Sequence, residues 1–214
     1  MPLSGSDPAV AHLAAVDLVM RRCIEDIGPC TLQPNLRRSP FESLVRAIAH
    51  QQLHDKAAES ILTRFVALFP RRKFPRPDDL LMMNMRSMRA AGFSRAKILA
   101  LRDLAAKTLD GTVPTSRVIQ KLGDDEIIER LVEVRGVGRW TVEMLLIFSL
   151  GRPDVLPVDD FGVRNGFRIA YGRRSMPTPK QIFQYGERWK PYRTVAAWYL
   201  WRTADREKQA KQVL

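Results

Sequence analysis

Apolar residues recur at helical spacing along almost the whole chain. Val10, Leu13, Val16, Met20, Ile24 and Ile27 keep a period near 3.6 until Gly28-Pro29, which predicts one amphipathic helix opened by Asp7-Pro8. Ser39-Pro40-Phe41-Glu42 has the form of a capping box, and Phe41, Leu44, Val45 and Ile48 follow it, predicting a second helix towards Gln51. Polar Gln51-Gln52-Leu53-His54-Asp55 interrupts the pattern. It resumes from Ala57 to Phe69, with Ile61, Leu62, Phe65 and Leu68 on one face and Pro70 as the stop. Asp78 and Ser94 are cap candidates, Gly92 and Gly111 are stops, and Thr112 to Val118 reads as an extended crossover. Two helices flank Val134-Arg135-Gly136-Val137-Gly138, and a loop covers Gly151 to Val158. Further helices start near Asp160, at the Thr178-Pro179-Lys180-Gln181 box and from Pro191, while Ala204 to Leu214 is polar enough to fray. No sustained alternation and no internal repeat occurs, so the fold class is all-α, with about nine or ten helices.

Composition narrows this picture. With 214 residues, 45% hydrophobic and 27% charged, the chain can bury the core of one or two compact domains. The expected divisions are an N-terminal helix in 1–38 packing on the C-terminal subdomain, a central helical subdomain in 39–115, and a C-terminal subdomain in 116–214. Lys and Arg exceed Asp and Glu by 12, which points to a polyanionic partner or an acidic surface. The longest apolar run, Met144 to Leu150, is far too short to span a bilayer, and Met1 to Asp7 lacks the features of a signal peptide. The expected location is therefore intracellular. Cys23, Cys30 and the three histidines show no zinc or iron–sulfur spacing, so no metal is expected and the cysteines read as free thiols without a function. The basic stretch Arg71-Arg72-Lys73-Phe74-Pro75-Arg76-Pro77 reads as a solvated connection.

The most informative segment is Leu131-Val132-Glu133-Val134-Arg135-Gly136-Val137-Gly138-Arg139-Trp140-Thr141. Its two glycines let successive amide N–H groups converge at the start of the next helix, a geometry that binds phosphate. Arg135 and Arg139 add the charge that makes nucleic-acid affinity salt-dependent. Gly-x-Gly alone would better suit a plain connection between helices closed by glycine.

The arrangement as a whole resembles the helix-hairpin-helix of DNA-repair glycosylases. After the hairpin come Pro153-Asp154-Val155-Leu156-Pro157-Val158-Asp159-Asp160, then Glu187-Arg188-Trp189-Lys190-Pro191-Tyr192-Arg193-Thr194 and Trp198-Tyr199-Leu200-Trp201-Arg202-Thr203. With Phe41 to Ala58 and Gly92 to Gly111, these blocks are similar in kind and order to the DNA-3-methyladenine glycosylase II family, over roughly residues 40 to 203. The resemblance implies two helical subdomains with a lesion pocket in the cleft between them, in a compact form without the N-terminal β domain of larger bacterial members.

It also implies chemistry. Cleavage of an N-glycosidic bond develops positive charge on the sugar, which a carboxylate stabilises, or the carboxylate orients the attacking water. Asp160 lies 20 residues after Trp140, the family's interval, with Asp159 as second choice; an aspartate before a helix is also an ordinary cap. Relatives that go on to cut the strand carry a lysine where this chain has Trp140, so the implied enzyme is monofunctional. Trp140 and Trp201 match aromatic positions of the base pocket and could select cationic alkylated purines, whereas Met144 stands where some relatives carry tyrosine. Trp189 and Trp198 read as core.

Arg135, Gly136, Val137, Gly138, Arg139 and Thr141 form the implied DNA-binding hairpin. Gln52, Leu53 and His54 match the segment that probes the minor groove or fills the gap left by a flipped nucleotide. Gly92, Phe93, Ser94, Arg95 and Lys97 resemble a second DNA-contacting turn. The implied substrates are 3-methyladenine and 7-methylguanine in double-stranded DNA. Alternatives are a glycosylase for deaminated or etheno purines, or a non-catalytic DNA-binding protein. The expected form is a monomer without membrane contact, cytoplasmic in a bacterium or nuclear in a eukaryote. No cofactor is expected, a monovalent cation in the hairpin turn being the one open option.

Overall fold

The computed structural model describes residues 8–213, and every described element is helical: thirteen α-helices and a 3-10 turn at Glu187–Trp189. The Asp7 cap lies outside the described residues. The first periodic segment is two helices, α1 (Pro8–Val16) and α2 (Leu18–Ile27), broken at Asp17. Asp17 accepts from the amides of Val19 and Met20 at 3.0 and 3.2 Å and so caps α2. It is buried, and its second oxygen accepts from the Tyr171 hydroxyl at 2.6 Å and the Trp189 indole N–H at 3.0 Å. Burial and the adjacent Asp17 carboxylate push the Tyr171 hydroxyl far above its ordinary pKa. One buried carboxylate with four donors thus replaces a continuous helix.

Next come α3 (Pro40–His50), capped by Ser39, and α4 (Asp55–Ala67). The 77–91 region holds α5 (Pro77–Met82) and α6 (Met85–Ala91). Asp78 lies inside α5, where Asp79 reaches back to the Arg76 amide at 2.9 Å, and Asn84 caps α6. The basic loop is partly anchored rather than solvated, since Arg72 pairs with Asp79 at 2.8 Å and Arg46 lies 5.3 Å over the Phe74 ring. Ser94 caps α7 (Arg95–Leu109). The crossover is extended only at its start, because Thr115 caps the short α8 (Ser116–Ile119).

Then follow α9 (Asp124–Leu131), α10 (Arg139–Phe148), α11 (Phe161–Ala170) and α12 (Pro179–Gly186), the last with the Thr178/Gln181 box formed in both directions. The final helix, α13 (Arg193–Val213), does not fray at Ala204. Ion pairs of Glu207 with Arg168 at 3.4 Å and Lys211 at 3.1 Å support its last turns.

The chain divides into two compact units, one of residues 1–35 with 146–214 and the other of residues 36–145. This corrects the expected boundaries: residues 116–145 belong with 36–115. The reason is local, because the hairpin turn and the residues leading into it bond to α3 and α7. In the first unit Leu13, Met20, Phe167, Trp189, Tyr199 and Leu200 are part of the buried core, and Trp198 is buried with them. In the second, Leu44, Ile48, Phe65, Phe93, Leu101 and Leu104 are buried. Both cysteines are buried and neither is in a disulfide, and no described helix is long and apolar enough to cross a membrane.

Candidate functional site

Two groups of candidate residues can be described, one in each unit. In the 36–145 unit the hairpin turn is closed by Val137 N–H donating to the Val134 carbonyl at 3.0 Å. Gly136 has φ +76°, a conformation open mainly to glycine. Gly138 does not: its φ is ordinary, and a Cβ there would meet nothing within 4 Å. The two glycines therefore differ in role, Gly136 making the turn and Gly138 standing exposed before α10. The amides do not all face outward either. Arg135 N–H donates to Asp103 at 2.7 Å, and the Gln51 side-chain amide donates to the Gly136 carbonyl at 2.8 Å. Lys107 bonds both Asp103, at 3.0 Å, and the Glu133 carbonyl. The Arg135 side chain and Gly138 are exposed, as is the Arg139 side chain, which also pairs with the buried Glu143 at 3.1 Å.

Asp103 was invisible to sequence reasoning and is the anchor of the turn. Burial raises its pKa, but the Arg135 amide and Lys107 outweigh this and hold the carboxyl below its ordinary value. Val137 and Thr141 are buried, Thr141 at 6% exposure, so the Thr141 side chain is not part of an outward surface. Trp140 is 47% exposed and Met144 half-buried.

In the second turn the side chains divide between internal and exposed positions. Phe93 is 1% exposed and packs edge-on against Phe65 at 5.2 Å. Ser94 is a cap, accepting from the Lys97 amide at 3.2 Å. The Lys97 ammonium donates to the carbonyls of Ala49 at 2.8 Å and Gln51 at 2.7 Å, and burial pulls its pKa down. It is an internal clamp rather than a solvated charge. Arg95 and Gly92 are exposed; Gly92, at φ +112°, ends α6. Gln52, Leu53 and His54 are all exposed on the loop between α3 and α4. Gln52 has φ +59°, an uncommon conformation for a residue with a side chain.

In the other unit Asp160 caps α11. Its Oδ1 accepts from Val163 N–H at 2.8 Å and from the Trp201 indole N–H at 2.7 Å. Trp201 is half-buried and lies stacked on Phe148, with centroids 5.7 Å apart and rings inclined by 26°. Two glycines, neither singled out from sequence, permit this. A Cβ on Gly166 would lie 1.9 Å from the Leu200 carbonyl, so α11 and α13 touch backbone to backbone there. A Cβ on Gly162 would lie 2.7 Å from Trp201 Cδ1 and 3.1 Å from Asp160 Oδ1. The four-residue spacing of Gly162 and Gly166 on one helix face was the available signal. Asp159 is exposed, with no side-chain hydrogen bond or ion pair among the described residues. Trp189 and Trp198 are buried.

One unit thus presents a glycine turn flanked by two exposed arginines, and the other a carboxylate clasped by an indole at a helix start. The chain belongs to the HhH-GPD superfamily of base excision DNA repair proteins, whose family model matches residues 45–191. It is 42% identical over 208 residues to DNA-3-methyladenine glycosylase 1 of Schizosaccharomyces pombe, covering 96% of this chain and 90% of that protein. Among solved structures, the S. pombe 3-methyladenine DNA glycosylase in complex with abasic DNA superposes with a TM-score of 0.81, covering 92% of this chain and 96% of that one at 42% identity. DNA-3-methyladenine glycosidase from Bacillus halodurans gives 0.88 at 33% identity, covering 98% and 94%.

Proposed function

We propose that this protein is a monofunctional DNA glycosylase that flips an alkylated purine of the 3-methyladenine and 7-methylguanine class out of double-stranded DNA and hydrolyses its N-glycosidic bond. The observation that carries the reading is Asp160, whose Oδ1 is held by two N–H donors at the start of α11. As the glycosidic bond breaks and the electron pair leaves with the base, C1′ of the sugar becomes cationic, and a fixed carboxylate stabilises it without reorganising. Water then adds to C1′ and loses a proton, leaving an abasic site. Trp140 has no amine to form a Schiff base with the sugar, so strand cleavage is not part of the reaction. The chemistry uses water and a carboxylate and needs no cofactor.

A purine alkylated at a ring nitrogen is already cationic and a good leaving group, so the enzyme need only bind it. Half-exposed Trp140 and the Trp201–Phe148 stack offer electron-rich faces for cation–π attraction. Arg135, Arg139 and the exposed Gly138 before α10 suit backbone phosphate, which would position the duplex without reading its sequence. The names of the relatives support the same substrate class. Incubation with methylated duplex DNA tests the reading: release of 3-methyladenine or 7-methylguanine with intact strands is the expected result. Release only from duplexes carrying hypoxanthine or ethenoadenine would move the substrate class, and binding without any release would leave a DNA-binding protein.

A further inference from the structure

We infer that Gln51 and Lys97 are positioning residues that lock the exposed loop of Gln52, Leu53 and His54 to the hairpin turn, so that the loop enters the duplex in a register set by the phosphate-binding turn. The inference rests on the functional reading above and adds to it two residues that touch neither lesion nor phosphate.

The loop leaves α3 at its C-terminal end, where the last carbonyls have no intrahelical partner. Lys97, reaching across from α7, takes two of the carbonyls there, those of Ala49 and Gln51. The Gln51 side chain then crosses to the hairpin and donates to the Gly136 carbonyl at 2.8 Å. On the far side of the loop His50 lies 3.1 Å from Glu59 and 3.5 Å from Asp55, both on α4. Between these fixed ends Gln52 is held at φ +59°, a conformation that persists only where its surroundings dictate it.

The arrangement has a specific use. A wedge fills the gap of a flipped nucleotide only if it arrives opposite that nucleotide while the hairpin holds the backbone, and small misplacements are costly. A loop free to move would lose that alignment. Glutamine is required as a donor to a carbonyl, which glutamate cannot be. Lysine fits the paired carbonyls as a compact charge with three donors.

The test measures affinity for undamaged duplex and for the same duplex carrying a tetrahydrofuran abasic analogue. Gln51→Met, which removes the donor without adding charge, should leave affinity for undamaged duplex within about twofold and cut the preference for the abasic duplex about tenfold, and Lys97→Met should lower that preference in the same direction. In the Leu53→Ala/His54→Ala background, where the wedge is already gone, adding Gln51→Met should change the preference less than about twofold. Gln51→Asn should retain part of the preference, as a shorter donor. Equal losses on both duplexes, or the same loss in both backgrounds, would overturn the inference and reduce these residues to general supports of the fold. A native chain that shows neither abasic preference nor base release would instead overturn the functional reading, and this inference with it.

Discussion

The starts of α10 and α11 are two helix N-termini with opposite treatments. At α10 the residue before the helix is Gly138, which has no side chain to cap the first amides, and two arginines flank it. At α11 it is Asp160, whose carboxylate takes the Val163 amide at 2.8 Å and is also gripped by Trp201 at 2.7 Å. The same backbone dipole meets an internal anion at α11, whereas in the proposed reading it is left for an external one at α10. Glycine serves the two sites differently as well: Gly136 sets backbone conformation, whereas Gly162 and Gly166 make room. The hairpin is a site built by leaving things out, and the Asp160 turn is one built by bringing elements into contact.

The largest effect that tests this contrast is at the contact between elements. Gly166→Ala would put a Cβ 1.9 Å from the Leu200 carbonyl, which backbone cannot accommodate without separating α11 from α13. A loss of about 3 kcal/mol in denaturant-induced unfolding is expected, along with loss of base release. Gly162→Ala meets the edge of an indole rather than backbone, so it should cost only about 1 kcal/mol of stability. By displacing Trp201 from Asp160 it should lower base release far more, by about tenfold to a hundredfold. Trp201→Phe, which keeps a ring beside Phe148 but removes the N–H donor, should lower single-turnover release in the same direction. If Gly162→Ala reduced stability and release in proportion, the positioning role of the gap would be wrong.

At the hairpin the pair of glycines should separate. Gly136→Ala places a side chain at φ +76° and should cost about 1 kcal/mol in thermal unfolding. Gly138→Ala should leave unfolding almost unchanged, since its new methyl group stands in open space, and weaken duplex binding several-fold by crowding a phosphate at the turn. The smallest effect concerns pH. Asp103 has a folded pKa below its unfolded value, so its contribution to stability is present above the ordinary carboxylate range and is lost as pH falls through the folded value. Hydrogen exchange of the Arg135 amide should therefore show weaker protection on acidification, and Asp103→Asn should lower that protection already at neutral pH.

Much of this was legible in the chain because caps act locally. Ser39, Ser94, Thr178 and Asp160 each cap the helix that their spacing announced. Asp17 was passed over although the information was present: positions 10, 13, 17 and 20 are buried with 24 and 27 partly so, and a carboxylate in such a stripe needs partners, here Tyr171 and Trp189 from far along the chain. Lys97 and Asp103 were not legible for a related reason. Their partners are backbone groups 46 and 32 residues distant, and backbone leaves no signature in residue identity. Trp201 was legible as an aromatic by resemblance, but its bond to Asp160 required the approach of α11 and α13, which two small residues on one face encode only indirectly.

The most direct test of the account is single-turnover release of methylated purines by the native chain, Asp160→Asn and Asp159→Asn, each verified as folded and able to bind duplex DNA. The account predicts a loss on the order of a hundredfold or more for Asp160→Asn, which keeps an oxygen to cap α11 but removes the charge, and near-native release for Asp159→Asn. Near-native release by Asp160→Asn, with the loss in Asp159→Asn instead, would contradict it and reduce the clasp of Trp201 and Val163 on Asp160 to a helix cap.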